Sequence, residues 1–191
     1  VMPGRELPLN IFEPRYLNMV SDALRTHRMI GMIQPEPKTR DTNVLCHTGC
    51  AGRITQYRET NDGRIEMVLS GVCRYDLGEE LPTTRGYRLI VPDWSRFSDD
   101  YTNHEDPLRR EHDHLIRMLK RYFDAKGLQA DWSMLERLST VRLMNSLSMA
   151  LPISEQDKQL LLETVEPAQR LHTFTSLLGD GFQASGSVTR H

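Results

Sequence analysis

Residues 51–70 constrain the fold more than any other stretch, because they read as two extended runs hinged on a tight turn. Ala51 to Glu59 carries Ile54 and Tyr57 as its apolar positions. Ile65, Met67 and Leu69 alternate with polar neighbours between Arg64 and Ser70, the period-two signature of a half-buried strand. Between the runs stands Thr60-Asn61-Asp62-Gly63, and Asn, Asp and Gly tolerate the positive φ angles that a hairpin turn demands.

The flanking sequence extends this β-rich half. Leu7, Leu9 and Ile11 alternate with Pro8 and Asn10 as another strand. Glu13-Pro14 opens a helix, with proline at the first helical position, where its missing N–H costs nothing. Tyr16, Met19, Val20, Ala23 and Leu24 then follow the spacing of one buried helical face. Met29 to Ile33 is a short apolar run, a buried strand that Pro35 and Pro37 end, and Val44 to Cys46 is a further strand candidate. Gly71 is expected to bend the chain into Val72–Tyr75, and Tyr87 to Val91 closes the half. Strands in this order with one early helix predict a small, partly closed barrel.

The period then changes. After a polar stretch from Pro92 to Asp106, Asp106-Pro107 signals a helix start and Leu108 to about Ala125 continues it, ended by Lys126-Gly127. Asp131 caps a short helix through Leu138, and Thr140 is expected to cap Val141–Ala150, whose stripe is Leu143, Met144, Leu147 and Leu151. Ser154-Glu155-Gln156-Asp157 resembles a capping box, and Glu166-Pro167 starts a last helix with Leu171, Phe174, Leu177 and Leu178 apolar. The expected organisation is α+β: a β-rich subdomain over 1–92, a linker over 93–106, a helical bundle over 107–178 and a mobile tail over 179–191.

Charge narrows the partners. The net charge is −2, which provides no broad pull toward nucleic acid or acidic membranes. Arg outnumbers Lys 20 to 4, but the arginines are spread along the chain without a dense basic run. No apolar run approaches the ~20 residues of a membrane helix, and no signal peptide is visible. Three cysteines are too few for a disulfide framework, so a reducing cytoplasm is the expected compartment.

Chemistry finds little footing. Cys46, His47 and Cys50 fall within five residues and could offer three zinc ligands, but the second pair of a structural site is missing, and Cys73 has no companion. His104, His112 and His114 stand among Glu105, Glu111 and Asp113, yet His112 and His114 are two apart and point to different sides of a helix, unlike HExxH. GxSxG, GxxxxGK[ST] and GxGxxG are absent. No cofactor is expected. Nine methionines suit an adaptable binding surface, although the spacing of most matches buried faces.

Three segments carry a family likeness. Leu7-Pro8-Leu9-Asn10-Ile11-Phe12-Glu13-Pro14-Arg15-Tyr16, followed by Met19-Val20, resembles the signature opening of the Lon N-terminal substrate-binding domain. Gly49-Cys50-Ala51-Gly52-Arg53-Ile54 with the hairpin and Gly71 looks like that family's approach to its long β-hairpin. Asn145 to Pro152, Glu155 to Leu162 and Glu166 to Leu178 are similar to the helical end of stand-alone bacterial members. The sequence departs at its start, where only Val1-Met2 precede the Pro-Gly turn.

The resemblance implies a PUA-like β pseudo-barrel followed by a helical bundle. It also implies a non-catalytic module, without ATPase or protease motifs, that binds unfolded or exposed apolar protein segments, alone or beside a separate Lon protease. Phe12, Arg15, Tyr16, Met32, Gln34 and Pro35 are the candidate peptide contacts, with an apolar groove or strand edge expected near Met29–Pro35. The competing role for the signature is scaffold: Phe12 and Tyr16 sealing the helix onto the sheet and Arg15 pairing with a carboxylate. The alternative function is a nucleic-acid-binding module, since PUA-like folds also bind RNA, and the near-neutral charge argues against it. Nothing in the spacing selects an oligomeric state.

Overall fold

The computed structural model describes residues 1–36, 44–101 and 106–186, with side chains through residue 179. It divides into two units, Val1–Asn103 and His104–His191.

Unit 1 is a five-stranded antiparallel sheet with one helix on it. The strands are β1 (Glu6–Ile11), β2 (Met29–Met32), β3 (Thr48–Glu59), β4 (Ile65–Leu81) and β5 (Leu89–Asp93), and α1 spans Pro14–Arg25. The order is β1-β4-β3-β2, with β5 also on β4. Asp76 pairs with both Thr48 of β3 and Asp93 of β5, so β5 shares the β4 edge that β1 uses further back. The sheet does not close into a barrel: β1 and β2 are its separate margins.

The expected strands appear except at Val44–Cys46, and their extents differ. The chain does not turn off at Gly71; β4 runs straight through it. A Cβ at Gly71 would come within 2.1 Å of the Met2 carbonyl oxygen, so glycine there admits a close backbone approach rather than a bend. Register shifts near Ala51/Gly52 and Leu77/Glu80 instead bend the long ribbon. Val44–Cys46 contributes a bridge, Pro35 to Leu45. The stretch read as a linker is structured through Tyr101, with a 3-10 helix at Ser95–Tyr101 whose Phe97 is buried.

Helix α1 covers the apolar face of the hairpin. Val20, Ala23, Ile30, Ile54, Ile65, Met67 and Leu69 form the core, flanked by Leu7, Leu9, Ile11, Leu17, Met19 and Leu24. Val20 and Leu69 are fully buried. Each such side chain contributes roughly 1.5–3 kcal/mol over its exposed state. The helix ends where Thr26 and Arg28 both return their N–H groups to the Ala23 carbonyl, at 3.1 and 2.8 Å.

Unit 2 contains α2 (His112–Lys126), α3 (Trp132–Leu135), α4 (Thr140–Ala150), α5 (Glu155–Glu163) and α6 (Pro167–Gly186). Its core includes Leu115, Leu119, Leu143, Met144, Leu161, Phe174 and Leu178. Here three sequence readings need correction. Ser139, not Thr140, caps α4, accepting from the Arg142 N–H. Thr140 instead ties α4 to the segment before α2: its N–H reaches Asp106 Oδ2 at 2.6 Å and its hydroxyl donates to the Leu108 carbonyl at 2.9 Å. With Asp106 so engaged, α2 starts four residues later than Leu108. Helix α6 continues beyond Gly179 to Gly186, into the expected tail.

Candidate peptide-binding surface

The residues proposed from sequence fall into two groups on opposite margins of the sheet. Phe12, Arg15 and Tyr16 stand where β1 turns into α1. Met32, Gln34 and Pro35 continue β2, the other margin. Three strand spacings separate the margins, about 14 Å.

At the first margin the scaffold reading fails for Phe12. It is 62% exposed, with the Arg64 guanidinium 5.8 Å from its ring centre, and does not seal the helix. Tyr16 is half-buried, and Arg15 lies over its ring at 4.5 Å while pairing with Glu13 at 3.0 Å. Tyr57 is 49% exposed and pairs with Met67, as does Leu9 of β1, so a second exposed aromatic marks this end of the sheet.

A strap lies across the outer face of α1. Arg85 donates two bonds of 2.9 Å to the Asp22 carboxylate, Tyr87 adds a third at 2.9 Å, and Asn18 donates to the Arg85 carbonyl at 3.2 Å. Sequence spacing could not reveal it, since Asp22 and Arg85 are 63 positions apart. Hydrogen bonds from Arg85 and Tyr87 hold the Asp22 carboxyl below its ordinary 3.8. A depressed carboxylate contributes stability that is present above its unfolded value and lost as pH falls through the folded one. The strap is therefore expected to loosen on acidification below about pH 4. Asp22→Asn should reproduce this at neutral pH, read as faster amide exchange over residues 82–88 with the core of α1 unchanged.

At the second margin, Met32 and Gln34 are half-buried and Pro35 is exposed. The Gln34 carbonyl accepts from the Cys46 N–H at 2.9 Å, and Cys46 Sγ lies 3.6 Å from the Pro35 carbonyl. Of the three zinc candidates, Cys46 and Cys50 are buried, while His47 is exposed and sits 3.9 Å from Asp76. Burial pushes the Cys50 thiol up to about 12 and the Cys73 thiol up to about 11, away from the thiolate that metal binding or nucleophilic attack requires. Among the described residues no three His, Cys, Asp or Glu groups gather as a metal site.

His104 and Glu105 lie outside the described residues. His112 is held structurally, with Nε2 3.2 Å from the Glu136 carbonyl and Nδ1 3.4 Å from the Thr140 hydroxyl. It lines a shallow cleft in unit 2 with Asp113, Ile116, Arg117 and Glu136. No helix is long and apolar enough to cross a membrane among the described residues.

Two ion pairs, one buried and one with an exposed arginine, escaped sequence reading. Arg74 grips Asp100 through Nε and Nη2 at 2.9 and 2.8 Å, and its backbone N–H reaches the same carboxylate at 2.9 Å. Asp76 accepts from Thr48 at 2.6 Å and Arg96 at 2.8 Å. Phe97 lies between the two arginines, 4.5 Å from Arg74 and 5.1 Å from Arg96, so the 3-10 helix is pinned to β4.

An open antiparallel sheet with one helix on its face, followed by a helical unit, matches solved domains of one class. The Lon N-terminal domain protein from Xanthomonas campestris superposes with a TM-score of 0.67 at 24% identity, covering 92% of this chain and 91% of that one. The N-terminal domain of the Mycobacterium avium complex Lon protease gives 0.64 at 17% identity, covering 94% and 92%. The family model of the ATP-dependent protease La (LON) substrate-binding domain matches residues 1–180, and the chain belongs to that family. Lon protease 1 of Hydrogenovibrio crunogenus is 25% identical over 181 residues, 90% of this chain and 21% of that protein. Lon protease 2 of Bdellovibrio bacteriovorus is 23% identical over 191 residues, 93% and 23%. The chain thus spans under a quarter of either relative's length.

Proposed function

We propose that this domain binds unfolded polypeptide through exposed apolar segments, as a non-catalytic recognition or adaptor module for a Lon-type protease in the cytoplasm. The observation that carries the reading is the exposure of Phe12 in a chain of a substrate-binding family. Phe12, Arg15 and Tyr16 form one contact surface and the Met32–Pro35 margin another. An unfolded chain of a few residues spans the roughly 14 Å between them.

Charge pairing disfavours the nucleic-acid alternative. In unit 1, Arg15, Arg58, Arg64, Arg74, Arg85, Arg88 and Arg96 each face a carboxylate within the sheet unit, which neutralises much of the charge that phosphates need.

Titration with a reduced, alkylated model protein tests the reading. Binding of the unfolded form but not its folded parent is expected, and no binding at high micromolar concentration would overturn it. Phe12→Ser should weaken binding about fivefold or more, the effect of truncating an interface aromatic, without lowering thermal stability.

A further inference from the structure

We infer that the outer edge of β2 takes an extended polypeptide segment as an added strand, with acidic residues of that segment drawn to the exposed arginines around its start, Arg25, Arg28 and Arg53. This rests on the polypeptide-binding reading above and adds to it a backbone docking edge and a charge rule for the segment.

The edge follows from the ladder. The Ile54 N–H bonds the Arg28 carbonyl at 2.8 Å, while Met29 stands opposite Arg53. In an antiparallel ladder, residues alternate between bonding inward and presenting N–H and C=O outward. Arg28, Ile30 and Met32 therefore bond to β3, and Met29 and Gly31 face outward. The Met29 N–H is taken by His27 Nδ1 at 3.2 Å. Gly31 presents both backbone groups at a margin where no strand lies among the described residues. The far end stops at Pro35, which has no N–H to donate. The open stretch between His27 and Pro35 suits a strand of about five residues.

The charge rule comes from an independent observation. Where most arginines of unit 1 are paired with carboxylates, Arg25, Arg28 and Arg53 are exposed and have no salt-bridge partner among the described residues. They lie near one end of the edge in the backbone: Arg25 ends α1, the Arg28 N–H returns to Ala23, and Arg53, opposite Met29 in the ladder, alternates with the core residue Ile54. The nearby Asp22 is paired with Arg85 and also lies in the field of Arg25. Arg28 also holds φ at +56°, the left-handed region that favours glycine, so an arginine there is kept against backbone preference. A carboxylate at this end of the edge enters the field of these exposed arginines, and its backbone continues along the Gly31 edge. A polypeptide satisfies both features, whereas a nucleic acid has no amide ladder to offer Gly31.

The experiment uses the full chain and a host peptide of alternating Val and Thr with three Asp at one end. Three companions complete the set: the same peptide ending in Lys, the acidic peptide N-methylated on alternate amides, and the unfolded model protein. The acidic peptide is expected to bind about tenfold more tightly than its Lys-ended form, with the difference shrinking at high salt. N-methylation should weaken it about tenfold through lost backbone bonds. Arg28→Gly with Arg53→Gln should remove the acidic preference while the melting temperature holds, because glycine accepts the Arg28 backbone angle. Equal binding of the N-methylated peptide, equal binding of the acidic and Lys-ended peptides, or displacement of the acidic peptide by single-stranded RNA would each overturn the inference. So would self-association of the Arg28→Gly, Arg53→Gln variant with its acidic preference intact, since the arginines would then act as edge gatekeepers. If those failures occur while the unfolded model protein still binds, the broader reading stands; if that protein does not bind either, both fall.

Discussion

Asp100→Ala is expected to destabilise unit 1 by about 3–5 kcal/mol, because it strips the carboxylate from a buried arginine. The Arg74 side chain is 5% exposed and that of Asp100 10%. Arg74 loses both guanidinium bonds and a backbone N–H partner together. The 3-10 helix, held through Phe97 and Asp100, should detach with it. Urea unfolding followed by Trp94 fluorescence would show the midpoint falling, and amide exchange should rise first over residues 95–101. Arg74→Met combined with Asp100→Leu should cost much less, since it leaves no buried charge. If the single substitution cost no more than the double, the pair would be incidental to stability.

Gly49→Ala is the second large effect, about 1–3 kcal/mol from overpacking. A Cβ there would lie 2.6 Å from the Met32 carbonyl oxygen and 2.7 Å from the Tyr75 hydroxyl. The backbone oxygen cannot swing away, so adding Tyr75→Phe should rescue little. Gly31→Ala behaves differently. Its nearest neighbours all belong to the Tyr75 side chain, beginning with the hydroxyl at 2.6 Å. Tyr75→Phe removes that atom and should recover much of the loss. Comparing the two double variants by thermal unfolding separates backbone crowding from side-chain crowding. Equal rescue at both glycines would contradict the packing described.

Where local pattern decides structure, the sequence was readable. The 60–63 turn and its alternating flanks specify the hairpin, and Pro14 with the stripe from Tyr16 to Leu24 specifies α1. Reading failed where one residue serves a distant partner. Phe97 stands between Trp94 and Tyr101 in an otherwise polar stretch, and their spacing does not say that Phe97 is buried against Arg74 and Arg96 while the other two are exposed. Gly71 looked like a bend because the carbonyl crowding it comes from Met2, near the other end of the unit. Thr140 had the chemistry of a cap but is used by Asp106, 34 positions away. The same limit applies to the surface. The signature at Phe12 identified the family, but which of its aromatics reaches solvent depends on packing. The grouping of arginines is invisible in sequence because Arg53 is brought near Arg25 and Arg28 only through the β2–β3 pairing.

The route by which β4 gathers its neighbours also bears on synthesis. β1 is made before its partners in β4, residues 65–70, which follow some sixty positions later. At ribosomal speeds of about 5–20 residues per second, the Leu7-Pro8-Leu9 segment waits about 3–12 s for its partner strand. During that interval a nascent chain exposes its own apolar, extended segment, the kind of sequence that the finished domain is proposed to capture.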